Sequence, residues 1–90
     1  MNNKYDYVFS WLKKASKPER HIDEMETFAK RHPVLFMKYH NLFKPIVELD
    51  ETDAKYIETK EKLIKLFSEH EEEFKPVLTA VKEKFAGKYF

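Results

Sequence analysis

Histidine side chains are the first candidates for chemistry in this chain, because imidazole acts both as a general acid–base group and as a metal ligand. The sequence contains four of them, at positions 21, 32, 40 and 70, and no cysteine. A zinc site needs three or four ligands at close spacing. No two histidines are three or four residues apart, and His21 and His32 would lie about 16 Å apart along one helix. This spacing favours histidines at the edges of a core over metal ligands.

The acidic run at His70-Glu71-Glu72-Glu73 contains the residue types of a carboxylate-bridged di-iron site. Such a site in a helical bundle requires Glu-x-x-His pairs and glutamates that face inward. By helical phase, Glu72 and Glu73 fall on the polar side, and Glu71 lies only near the apolar edge. We therefore expect no metal site at this run.

Nucleophilic and nucleotide chemistry have still weaker support. None of the three serines lies in a nucleophile-elbow sequence. A phosphate-binding loop is rich in glycine, whereas this chain has a single glycine, Gly87. The sequence predicts a protein that is not an enzyme and that binds no cofactor.

A basic and aromatic segment at residues 4–20 has some of the chemistry that nucleic-acid binding needs. Single-stranded nucleic acid binds where positive charge accompanies stacking aromatic rings. Adjacent lysines in this segment diverge by about 100° on a helix, and the whole chain has a net charge of only +1. Ordinary surface lysines therefore explain the pattern better, and nucleic-acid binding stays an alternative. Its candidate contacts are Lys13, Lys14, Lys17 and Arg20.

The same segment carries aromatic residues outside its apolar stripe. Tyr7 and Trp11 lie one helical turn apart, beside the stripe that contains Val8 and Leu12. Aromatic side chains are enriched at protein interfaces and among their energetic hot spots. We therefore predict a protein-binding surface at Tyr7, Trp11 and Lys14. The competing interpretation is that the first helix is wedged into the bundle and buried on three sides.

Helices must position all of these side chains, because one glycine and four prolines are the only strong breakers in the chain. Apolar residues recur at helical spacing in segments that predict helices over residues 5–15, 17–32, 34–49 and 53–86. Ser16 and Glu19 have the spacing of a capping box at the start of the second helix, and Gly87 is typical of a residue that follows a helix end. The segment 34–49 has the widest apolar arc, so we expect it to be the most deeply buried.

The prolines leave two structural questions open. Pro45 and Pro76 lie on the polar sides of segments whose apolar phase continues across them, which predicts kinked or proline-started helices. Residues 53–86 form either one kinked helix or two helices with a break near 71–76. The three glutamates at 71–73 favour the break, because carboxylates stabilise a helix N-terminus.

A possible internal repeat is a third open question. Residues 35–46 and 66–77 share Leu-Phe and Phe-Lys-Pro at the same spacing. Sequence repeats of this period occur in repeat proteins. The similarity is either a duplication or a chance match between two amphipathic helices.

Composition predicts a single all-α domain over residues 1–90, folded as a compact bundle of four or five helices. Its hydrophobic content of 42% and aromatic content of 16% are too high for a disordered chain. Residues 48–73 carry a net charge of −6, which is typical of solvated helix faces. No apolar run reaches membrane-spanning length and no signal-peptide pattern opens the chain, so we expect a cytoplasmic protein with no membrane partner.

These observations favour a small non-enzymatic protein-binding module, such as an adaptor, an inhibitor or an immunity-type protein. It would act on another protein through an aromatic and charged helical surface. Two alternatives remain open. One is a nucleic-acid-associated protein that uses residues 4–20, and the other is a helical homo-oligomer, such as a homodimer, with a self-complementary apolar face.

Overall fold

The computed structural model describes residues 4–89, and over this range the chain is an all-α bundle without strands. The predicted fold class is therefore confirmed. A single turn of 3₁₀ helix at Pro18–Arg20 lies between the first two α-helices. The α-helices are α1 (Asp6–Lys14), α2 (Asp23–Arg31), α3 (Pro33–Glu48), α4 (Ala54–Glu69) and α5 (Glu71–Phe85).

The region predicted as one helix over 17–32 is different in the structure. The capping box forms, because Glu19 Oε1 accepts hydrogen bonds from the Ser16 backbone N–H at 3.2 Å and from Ser16 Oγ at 2.9 Å. It caps only the short 3₁₀ turn, however. Ile22 then adopts an extended backbone, with φ −112° and ψ 150°, and is buried. Turning the chain to bury Ile22 delays the start of α2 to Asp23.

The segment 53–86 is two helices, as its acidic run indicated. His70 has φ −126° and ψ 41° and separates α4 from α5. The three glutamates follow in the first turn of α5, where their charge favours the helix N-terminus. Pro45 and Pro76 lie inside α3 and α5, so neither proline starts a helix.

The similarity between residues 35–46 and 66–77 does not correspond to a repeated structure. Residues 35–46 lie within the single helix α3. Residues 66–77 cross from α4 into α5 through the break at His70. The matching residues therefore occupy different supersecondary environments.

Aromatic rings from four helices meet at the centre of the core. Phe74 of α5 is 0% exposed. Its ring centroid lies 4.5 Å from that of Phe28 in α2 and 5.0 Å from that of Phe67 in α4. Tyr39 of α3 lies 6.4 Å from both Phe67 and Phe74. Aromatic pairs at these separations stabilise a core beyond the area that they bury.

Helix α3 is less buried than its wide apolar arc predicted. Only Tyr39 and Ile46 of this helix are buried, whereas α5 has six buried residues. Val34 and Met37 are 65% and 64% exposed. The prediction is wrong because α4, α1 and α2 pack against only part of the arc. Several apolar side chains of α3 are left half-buried.

We predict that Pro76→Ala stabilises the fold. Pro76 is exposed and lies inside α5, where it removes a backbone N–H from the helix. An interior proline costs up to about 3 kcal/mol relative to alanine. The melting temperature, followed by circular dichroism, should rise by at least about 4 °C. Thr79→Ala, at an exposed position of the same helix, is the control, and a fall in melting temperature for Pro76→Ala would contradict the prediction.

A second prediction concerns acid stability. Hydrogen bonds from Lys88, Tyr89 and Ser16 lower the pKa of Glu19 from its ordinary value of 4.5 to about 2. A carboxyl whose pKa is lower in the folded state stabilises the fold above its unfolded pKa, and this contribution is lost as the pH falls towards 2. Glu19→Gln should therefore lower the free energy of unfolding at pH 7 and flatten its decline below pH 4.5.

Chemical denaturation across that pH range tests this prediction. The control is Glu61→Gln, which changes an exposed α4 residue that forms no ion pair within residues 4–89. Equal pH profiles for Glu19→Gln and the unmodified protein would show that the contacts of Glu19 do not stabilise the fold.

Candidate protein-binding groove

The structure corrects the prediction that Trp11 faces a partner. Trp11 is 1% exposed. Its ring stacks on Phe85 with centroids 5.8 Å apart, and its Nε1 donates a hydrogen bond to the Glu19 backbone carbonyl at 3.3 Å. Trp11 is therefore a core residue that joins α1 to α5 and to the 3₁₀ turn.

The other two residues of that predicted surface do not lie together. Tyr7 is half-buried, and Lys82 Nζ of α5 lies 5.4 Å from the centroid of its ring. Lys14 is exposed at the other end of α1 and donates a hydrogen bond to the Tyr89 carbonyl at 3.3 Å. Tyr7, Trp11 and Lys14 therefore form no common surface.

The four cations of the nucleic-acid alternative also separate. Lys13 Nζ donates a hydrogen bond to the Leu49 backbone carbonyl, and Lys14 Nζ donates one to the Tyr89 backbone carbonyl. Arg20 donates from one guanidinium nitrogen to the carbonyls of Leu12, at 3.4 Å, and Ala15, at 3.0 Å. Lys13, Lys14 and Arg20 thus bind backbone groups within the fold. Lys17 and Arg20 line the same surface groove, beside α3.

This groove, which we call the aromatic groove, lies between α1, the 3₁₀ turn, α2 and α3. Its volume is about 370 Å³. Five apolar and aromatic side chains line it, Leu12, Met25, Phe36, Tyr39 and Phe43. Four basic or titratable side chains complete the lining, Lys17, Arg20, His21 and His40. No carboxylate contributes to the lining.

Helical spacing explains why α3 supplies most of the aromatic groove. Phe36, Tyr39 and Phe43 are three and four residues apart, so they project from one face of the helix. The Tyr39 and Phe43 rings stack with centroids 5.5 Å apart and planes 8° apart. His40 lies 5.2 Å from the Phe43 ring centroid and is exposed at the edge. These contacts hold the rings in place along one side of the aromatic groove, which we call its aromatic wall.

Tyr39 adds a polar group to this wall. Burial raises the pKa of the Tyr39 hydroxyl above its ordinary value, although the charge of Arg20 opposes the rise. The hydroxyl is therefore protonated at neutral pH. No hydrogen bond joins it to a side chain or backbone group within residues 4–89, and no buried side-chain polar atom there lacks a partner, so the hydroxyl reaches solvent in the aromatic groove. Tyr39 can thus donate to a carbonyl or carboxylate that enters the aromatic groove.

The aromatic groove was not predicted from the sequence, although the sequence contains a signal for it. That signal is the wide apolar arc of α3, because the other helices cover only part of the arc and leave the rest to line the groove. His21 and His40 were predicted at core edges, and both are exposed beside the apolar lining. Within residues 4–89, no group of three or more acidic and histidine side chains is placed to hold a metal ion.

Comparison of the chain with protein-family models, curated proteins and solved structures gave no match. Over residues 4–89, no helix has the length and apolar character required to cross a membrane. The aromatic groove combines an apolar lining, in which Phe36 and Phe43 are half-buried and the other apolar residues are buried, with a cationic edge.

Proposed function

We propose that this protein is a small cytoplasmic protein-binding module that holds a segment of its partner in the aromatic groove. The observation that carries the proposal is the open groove itself, with an apolar floor and a cationic edge. Pockets that accept ligands typically have volumes of about 300–1,000 Å³ and combine apolar walls with a few placed polar groups. The aromatic groove, at about 370 Å³, lies in this range, as do four other depressions of 380–410 Å³. It differs from these four in having three aromatic side chains and no carboxylate in its lining.

The residue types of the aromatic groove also favour a protein partner. Tyrosine and arginine are among the residues most enriched at interface hot spots. Tyr39 and Arg20 lie together in the lining, and the hydrogen bonds of Arg20 to the end of α1 fix its guanidinium before any partner binds. A partner therefore meets a preorganised surface, which lowers the entropic cost of association.

The exposed apolar residues elsewhere give less support to self-association. Val34 and Met37 lie on α3 outside the groove lining, and Ile57, at 49% exposure, lies on α4. Apolar residues scattered over a surface are ordinary in monomeric proteins. The aromatic groove is a concave site, whereas a symmetric dimer requires a self-complementary patch.

We predict that the double variant Lys17→Glu, His40→Glu loses its partner. Both residues are exposed, so the fold should persist, while the groove edge gains negative charge. Affinity capture from the native host, quantified by mass spectrometry, should recover a stoichiometric protein with the unmodified chain. The cationic edge favours acidic groups on the partner, and the new carboxylates of the variant would repel them. Recovery of the partner by the variant should fall at least tenfold, since like charges across an interface cost about 1.4 kcal/mol or more.

Lys44→Glu is the matched control, because Lys44 is exposed on α3 but does not line the aromatic groove. Equal recovery of the partner by the control and the unmodified chain completes the expected result. A partner that the double variant captures as well as the unmodified chain would exclude the aromatic groove as its binding site. Capture of nucleic acid or of a second copy instead would favour one of the two alternative functions.

A further prediction isolates the Tyr39 hydroxyl. Tyr39→Phe keeps the ring and removes the donor, so it should leave the fold intact and weaken partner binding by about 0.5–1.5 kcal/mol, the net value of one hydrogen bond. Tyr56→Phe is the control, because Tyr56 is a buried tyrosine of α4 outside the aromatic groove. Isothermal titration with the captured partner measures both. Unchanged affinity for Tyr39→Phe would show that its hydroxyl makes no contact with the partner.

A further inference from the structure

A second hollow lies beside the aromatic groove, between α2 and Phe36 of α3. Its volume is about 410 Å³. Three residues, His21, Met25 and Phe36, line both depressions. The others that line this α2 hollow are Ile22, Asp23, Glu26 and Ala29. The two depressions therefore adjoin, and the shared side chains of Met25 and Phe36 lie at their boundary.

The charges at the two ends of this surface have opposite sign. Lys17 and Arg20 stand at the aromatic groove, and Asp23 and Glu26 at the α2 hollow. Lys17 and Asp23 form no ion pair within residues 4–89, and Glu26 is paired only loosely with Lys30, at 3.8 Å between exposed side chains. These charged side chains are therefore largely available to pair with charges of opposite sign on an occupant.

An occupant of this surface must pair through side chains. Extended segments bind by adding a strand to a sheet edge or, when rich in proline, by docking in aromatic-lined grooves, whereas amphipathic helices lay apolar anchors into hydrophobic grooves. The α2 hollow has a single aromatic side chain, Phe36, which disfavours the proline-rich mode. Residues 4–89 contain no strand. Two adjoining apolar hollows match two anchors of one helix, spaced by one or two turns.

Resting on the proposed function, we infer that the partner presents a short amphipathic helix with one apolar anchor for each hollow. Its carboxylates lie against Lys17 and Arg20, and its cations lie against Asp23 and Glu26. Helices commonly carry acidic residues in the first turn and basic residues in the last, where they interact favourably with the helix dipole. The bound helix therefore begins over the aromatic groove and ends over the α2 hollow.

A second copy of this chain does not supply such a helix. Helices α1, α2 and α5 all have the required charge order, with acidic residues in the first turn and basic residues in the last. The apolar residues of their inner faces, such as Leu12 of α1, Phe28 of α2 and Phe74 of α5, are buried in the core of their own fold. Offering them to another copy would require unfolding, so the occupant belongs to a different protein.

Selection from a displayed library tests this inference. The library carries 15-residue helical peptides with Leu or Phe at helical spacing and with Asp, Glu, Lys, Arg or Ala randomised at the remaining positions. Selection on the unmodified chain should enrich peptides with acidic first turns and basic last turns. Enrichment of the opposite charge order, of no charge order, or of no peptide at all would overturn the inference.

A charge-exchange cycle on an enriched peptide locates its acidic end. Lys17→Glu should weaken binding about fivefold or more, and a first-turn Glu→Lys change in the peptide should restore part of that loss. Lys44→Glu is the control and should leave binding unchanged. Peptides that bind Lys17→Glu and the unmodified chain equally would overturn the predicted orientation.

The results separate this inference from the proposed function. Selection could instead enrich peptides that lack the predicted charge order but still bind more weakly to the His40→Glu variant. That result would overturn the inferred helical partner and leave the aromatic groove as a binding site. Host-partner capture that does not change in the double variant Lys17→Glu, His40→Glu would overturn the proposed function itself.

Discussion

The packing of Phe74 is the interaction on which the rest of this structure depends. Its ring contacts Phe28 from α2 and Phe67 from α4, and it is fully buried. A single residue, His70, separates α4 from α5, so the edge-to-face contact between Phe67 and Phe74 lies across that break. This contact fixes the angle between the last two helices, and the stack on Phe28 then places α2 against α5.

This arrangement of the core leaves α3 with more apolar surface than the bundle can cover. Tyr39 reaches the central rings, and Ile46 is fully buried. Phe36 and Phe43 stay half-buried because α2 spans only nine residues and begins late, after the extended Ile22. The aromatic groove is thus a consequence of how the core is filled. Phe36 and Phe43 are held by packing on their inner side and stay accessible on the outer side, where the proposed partner would contact them.

Patterns between neighbouring residues predicted the features that depend on interactions between neighbouring residues. Helical periodicity gave the fold class, and the charge of Glu71–Glu73 predicted a break between α4 and α5. The burial of Trp11 could not be predicted in this way, because helical phase shows the direction of a side chain and not what covers it. Phe85, which covers Trp11, lies at the far end of the sequence. The shortened second helix was missed for a similar reason, since the burial of Ile22 against the rest of the core outweighed the local helix signal.

If the aromatic groove binds a partner as proposed, its two cations would contribute differently to recognition. Arg20 is tied to the carbonyls at the end of α1, so its guanidinium is fixed in place and its remaining donors select for position and geometry. Lys17 is exposed on a flexible side chain, so its charge acts mainly on the approach of an acidic partner and is screened by salt. The proposed binding through Arg20 would also depend on the end of α1, because a change that frays this helix end would release the guanidinium. The proposed recognition in the aromatic groove would therefore be coupled to stability at the α1 terminus through one side chain.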